Sequence, residues 1–138
     1  RDLVRSRGLG DVYKRQNMFS DMNFICLAHK GNCRSATAVS ARQALKMATE
    51  TGAKALGFDN TGILKEDYAA DLTVMDMKYP SLQPVNDPVA AMCYSASGYE
   101  VESVMVDGEF LMENREIKGM DEERIYFECN KAMKRIDG

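Results

Sequence analysis

The sequence predicts an α/β chain in which two helices precede a small antiparallel β unit and a further helix closes the chain. Three observations carry that prediction. Apolar residues fall at helical spacing from Met18 to Lys30 and again from Ala41 to Ala48. After Gly57 the period drops toward two, and Gly, Pro, Asn and Asp take over the punctuation. Ile125, Cys129, Ala132, Met133 and Ile136 then restore a stripe of helical period.

In the first helix Met18, Met22, Ile25, Cys26 and Ala28 lie on one side, and Phe19, Phe24 and Leu27 widen the stripe nearly all round. Such a helix is buried in something larger, and Gly31 and Asn32 are expected to stop it. Ser40 and Gln43 have the spacing of a capping box, in which hydroxyl and amide satisfy each other's orphan backbone donors. Ala41, Ala44, Leu45 and Ala48 follow as a narrow stripe that lets the helix approach a neighbour closely. Gly52 is expected to end this helix in a left-handed conformation, with one more turn, Ala53 to Leu56, before Gly57.

In the β region Leu72–Met75 has the composition of a short, largely buried strand, and Ala90–Ser95 of a second whose alanines weaken it. Val101–Val106 and Glu109–Met112, joined by Asp107-Gly108, should form a hairpin, because Asp-Gly favours the type I′ turn. Asp121, Glu122 and Glu123 place acid at the start of the final helix, and Lys131, Lys134 and Arg135 place base near its end, complementing its dipole. Its apolar stripe needs a docking partner.

With 138 residues and a net charge of -3, the chain is one small domain or part of a larger one. Its 45% hydrophobic and 28% charged content excludes a disordered chain, and its mild acidity excludes a phosphate-tracking nucleic-acid binder. No apolar run approaches a membrane span and no leader pattern opens the chain, so a soluble, cytoplasmic protein is expected. Cys26, Cys33, Cys93 and Cys129 are scattered without a CxxC pair and are expected to be free, mostly buried thiols. His29 stands alone at a helix end without an acidic or His partner one turn on, and a chain with 1 histidine does not complete a polyhistidine metal centre. Asp121, Glu122 and Glu123 serve as a helix start, not as paired catalytic carboxylates. Gly52, Gly57 and Gly62 lack the spacing of a phosphate loop. The methionines, 10 in number and spread along the chain, suit core filling.

Residues 1–16 differ in character from the rest, with four arginines and no periodicity. The codons GAT GTG TAT AAG AGA CAG, which end a transposon-type sequencing adapter, spell Asp11–Gln16. Arg1 and Asp2 fit the outer adapter, and Leu3, Val4 and part of Arg5 the sample index. The stretch is therefore expected to be adapter read-through and not native, with Asn17 the point where a longer chain was cut.

Several blocks in order carry a family resemblance. Ala44–Thr49, Gly52–Gly57, Gly62-Ile63-Leu64 and Ala70-Asp71-Leu72 resemble the C-terminal signature of the amidohydrolase superfamily. Pro84–Val89, Tyr94-Ser95-Ala96 and Val104–Gly108 are similar to the branch of 5′-methylthioadenosine/S-adenosylhomocysteine deaminases and related chlorohydrolases. The resemblance implies the C-terminal end of a metal-dependent hydrolase (β/α)8 barrel with the C-terminal half of its small β-sandwich domain and a terminal helix. Residues 17–57 would be the last barrel helices, 58–120 the sandwich portion and 121–138 the terminal helix. It further implies that the whole enzyme binds a divalent metal, zinc, through a His-x-His pair, two later histidines and an aspartate. The metal acidifies a water that attacks the amino-bearing ring carbon, and ammonia leaves after protonation by a carboxylic acid.

None of those ligands lies in this chain, and the aspartate would precede Asn17. The chain alone is therefore expected to hold no catalytic or metal-binding residue and to be inactive, and its substrate-binding residues stay unassigned. The implied partners are a small-molecule substrate, an adenine-type nucleoside, and further copies of the enzyme. Guanine or a triazine is the alternative substrate within the family, and a non-catalytic, stand-alone interaction module the alternative outside it. Two departures from the family pattern stand out. Asp67 replaces a customary glycine but tolerates left-handed backbone, and Asn86 stands where histidine is common.

Overall fold

The computed structural model describes residues 17–136, so the expectation for residues 1–16 lies outside the described residues. Helix α1 (Met18–Cys33) starts at Asn17, whose side-chain oxygen accepts from the N–H groups of Phe19 and Ser20. It does not stop at Gly31 and Asn32. Arg34 is the left-handed residue, at φ 48°, and Ser35 N–H reaches back to the carbonyl of Lys30 in a Schellman closure. Gly31 stays within the helix because the closing bonds form one turn later.

Helix α2 (Ala41–Lys46) carries the expected capping box in full: Gln43 N–H donates to Ser40 Oγ at 3.3 Å and Ser40 N–H to Gln43 Oε1 at 2.9 Å. It runs on through a π-helical turn (Met47–Thr51) into α3 (Gly52–Ala55). The expected break at Gly52 does not occur. Its φ is -63°, and a Cβ there would sit 2.9 Å from the Met47 carbonyl oxygen, so glycine serves the crowded π turn instead of ending the helix. The left-handed stop is Gly57 at φ 86°, with Phe58 N–H bonded back to the Ala53 carbonyl.

Strand β1 (Leu72–Met75) forms as expected but is not largely buried, since Thr73 and Val74 are exposed. The expected strand at Ala90–Ser95 is instead helix α4 (Pro88–Tyr94). Asp87 caps it by accepting from the N–H groups of Val89 and Ala90, Pro88 supplies a preset first turn, and the two alanines favour helix over strand. The hairpin of β2 (Val101–Val106) and β3 (Glu109–Glu113) turns at Asp107 and Gly108, with φ values of 49° and 83°. A second turn with positive φ at Asn114 and Arg115 adds a short strand, β4 (Glu116–Ile117), absent from the sequence-based expectation. The strands form an antiparallel meander in the order β1-β2-β3-β4, with Leu72 opposite Met105 and Met105 opposite Phe110.

The core lies among the helices: Met22 and Cys26 of α1, Val39, Ala44 of α2 and Cys93 of α4, with Phe19, Ile25, Leu45 and Met92 around them. The small residues on α2 do admit the close approach that their stripe implied. Two cysteines are buried, but Cys33 and Cys129 are exposed, against the expectation of mostly buried thiols. Helix α5 (Glu122–Ile136) opens at Asp121, whose carboxylate accepts from Arg124 N–H, and its acid-to-base charge order is as expected. It is not docked: all its described residues are exposed, including Ile125, Met133 and Ile136.

Candidate functional site

Two features have the burial or shape of a site. One is an open groove of about 710 Å³ between α1 and the α2–α3 run, lined by Met18, Met22, Ile25, Met47 and Leu56 with Asp21, Thr61 and Asp71 among its polar residues. Asp71 accepts from Thr61 Oγ1 at 2.5 Å and from Asp107 N–H at 2.8 Å. The Thr61 hydroxyl, and then the Asp107 N–H, hold its carboxyl below the ordinary range. It latches the loop before β1 to the hairpin turn. Apolar walls and a carboxylate already committed to two donors give a packing face and no nucleophile–base pair.

The other feature is Glu100, a fully buried carboxylate between α4 and β2. Its Oε1 accepts from Ser81 Oγ at 2.6 Å, and its Oε2 from the N–H groups of Ser97 and Gly98, both at 2.9 Å. Burial pushes the carboxyl up, but these bonds from Ser81, Ser97 and Gly98 outweigh it and bring the value down to about 2. No motif marks Glu100 in the sequence. Its only signal is the Ser-Gly pair two and three residues upstream, which offers N–H groups only once the loop has folded.

His29 is exposed, and because α1 runs on to Cys33 it lies one turn inside the helix instead of at its end. Asp121 caps α5, and Glu122 and Glu123 fill its first turn, which accounts for all three acids. Asn86 is exposed. Burial raises the Cys93 thiol above its usual value, the setting of an inert cysteine. Among the described residues, no group of three or more His, Cys, Asp or Glu side chains has the arrangement to hold a metal ion, so the zinc implied by the family finds no fit in them. No described helix is long and apolar enough to cross a membrane.

The chain matches the Amidohydrolase family model over residues 5–111. It is 46% identical over 121 residues to a 5-methylthioadenosine/S-adenosylhomocysteine deaminase of Acetivibrio thermocellus, covering 87% of this chain and 28% of that protein. It is 40% identical over 120 residues to a 5′-deoxyadenosine deaminase of Methanosarcina mazei, again covering 87% and 28%. The structure of an adenosine deaminase from Xanthomonas campestris with bound zinc superposes with a TM-score of 0.81 at 29% identity, over 87% of this chain and 28% of that one. The chain thus spans about 28% of the length of the curated relatives it matches. A family match across most of the chain places this protein in the amidohydrolase family.

Proposed function

We propose that residues 17–138 are the C-terminal part of a metal-dependent hydrolytic deaminase. As a whole it acts on adenine-type nucleosides such as methylthioadenosine or S-adenosylhomocysteine, works in the cytoplasm and assembles from copies of itself. In this reading residues 17–57 supply the last helices of a (β/α)8 barrel, 58–120 part of the small β-sandwich and 121–138 a terminal helix, and residues 1–16 derive from a sequencing adapter. The single observation that carries it is the 46% identity to a named deaminase of which the chain covers only 28%.

The bare groove supports the same reading. Met18, Phe24 and Leu56 are 55%, 55% and 75% exposed around it, an apolar lining open to a covering element. In the whole enzyme a divalent metal, held by residues upstream of Asn17, would supply Lewis-acid chemistry for the hydrolysis. The described residues offer it no ligand set; in this reading its last aspartate precedes Asn17, and the fragment by itself is inactive. This chain's own contribution is packing and positioning.

The test joins the upstream part of the Acetivibrio thermocellus deaminase, up to the residue matching Asn17, to residues 17–138. Ammonia release from methylthioadenosine or S-adenosylhomocysteine, abolished by a chelator, is the expected outcome. A folded chimera that releases nothing from either nucleoside overturns the proposal, and turnover of guanine or a chlorotriazine alone moves the protein to the alternative substrate class.

A further inference from the structure

We infer that Glu100 is a positioning residue: acting through the Ser97-Gly98 turn and Asn17, it fixes the first turn of α1 to the sheet. The chain of contacts is continuous. Glu100 has 0% exposure, and its two oxygens take Ser81 Oγ on one side and the N–H groups of Ser97 and Gly98 on the other. Its backbone carbonyl accepts from Asp76 N–H at 2.7 Å, which ties the same residue to the end of β1. The Ser97 carbonyl accepts from Asn17 Nδ2 at 2.6 Å across 80 residues of sequence. Asn17 in turn caps α1 at Phe19 and Ser20 with its side-chain oxygen.

Gly98 suits this turn through its backbone, whose φ of 100° side-chain-bearing residues rarely adopt; a Cβ there would meet Asn17 Nδ2 and the Phe19 ring at 3.7 Å, an ordinary contact. One amide side chain therefore both starts the helix and tethers it, and the buried carboxylate holds the turn to which it is tethered. The consequence for catalysis rests on the proposed function: the segment entering α1, where that reading puts the last metal ligand, takes its direction from the sheet.

Amide exchange on the 138-residue chain tests the tether without that reading. Glu100→Gln should speed exchange at Phe19 and Ser20 about tenfold while Gln43, in the α2 cap, stays within about twofold. Asn17→Asp keeps a capping oxygen but, as a carboxylate, has no donor for the Ser97 carbonyl, and reciprocity requires it to speed exchange at Ser97 and Gly98. Unchanged Phe19 and Ser20 in the first variant, or unchanged Ser97 and Gly98 in the second, overturns the inference. In the chimera described above, both variants should lower kcat about tenfold with KM within about twofold. An inactive parent chimera refutes the proposed function and leaves the exchange result to decide the tether. An active chimera whose kcat neither variant changes refutes the positioning role.

Discussion

Glu100 couples folding to pH. Its carboxyl lies at about 2 against an ordinary 4.5, so folding favours the ionised form. For such a depressed group the stabilisation is complete above the unfolded value and is lost as pH falls from about 4.5 toward about 2. Between about pH 6 and about pH 3 the wild-type chain should lose roughly 2 kcal/mol from this residue. Glu100→Gln should be less stable at pH 6 and show a flatter dependence of its urea midpoint over that range; parallel curves for the two proteins would remove Glu100 as the cause.

Backbone strain gives a second residue-scale test. Asp67 has φ 66°, the left-handed backbone that its place in the family pattern implied. Asp67→Ala should cost about 1 kcal/mol and Asp67→Gly close to nothing. Gly62 is more demanding: at φ 87° a Cβ would stand 2.9 Å from the backbone of Thr49 and Glu50. Gly62→Ala should therefore destabilise by about 2 kcal/mol or more in thermal denaturation, and a change below about 0.5 kcal/mol would contradict the close packing. Asp67 was legible because its conformation is local. Gly62 was not, because Thr49 and Glu50 meet it from 12 or more residues away, and Glu100 was not, because Ser81 reaches it across 19 residues while the N–H groups of Ser97 and Gly98 converge on it only once the loop has folded.

At the scale of elements, local chemistry was readable wherever caps and turns decide. The Ser40–Gln43 box and the Asp107-Gly108 turn formed at the expected residues, and Ser40→Ala should cost about 1 kcal/mol. Period alone misled at Ala90–Ser95, where the Asp87 cap and Pro88 outweigh a weak strand pattern. It also missed the π turn, in which the helix passes Gly52 without a break. Helix α5 shows its stripe in sequence, yet the partner that stripe implies is not among the described residues. Polar substitution at Ile125 or Met133 should leave thermal stability of the isolated chain within about 0.5 kcal/mol, because both residues are exposed and little buried area is lost. A loss of about 2 kcal/mol would mean that α5 packs against something after all.

For the whole molecule, the family was legible from ordered blocks spread over Ala44–Gly108, whereas the tether between Asn17 and Ser97 depends on a contact that no local pattern encodes. Exposed Met18, Phe24 and Leu56 line a groove that is apolar along its walls. Residues 17–138 alone should therefore bind a hydrophobic dye strongly and lose that binding when joined to the upstream part of a relative. Equal dye binding in both would mean that the upstream part does not cover this face.

The most direct measurement of the central claim is the native DNA sequence across the junction between Gln16 and Asn17, from a library lacking the adapter. The expected result is an open frame that continues upstream of Asn17 into an aspartate at a strand end, two histidines and a His-x-His pair. A start codon directly ahead of an encoded Arg1–Gln16 would contradict it and leave a stand-alone module whose partner binding becomes its function.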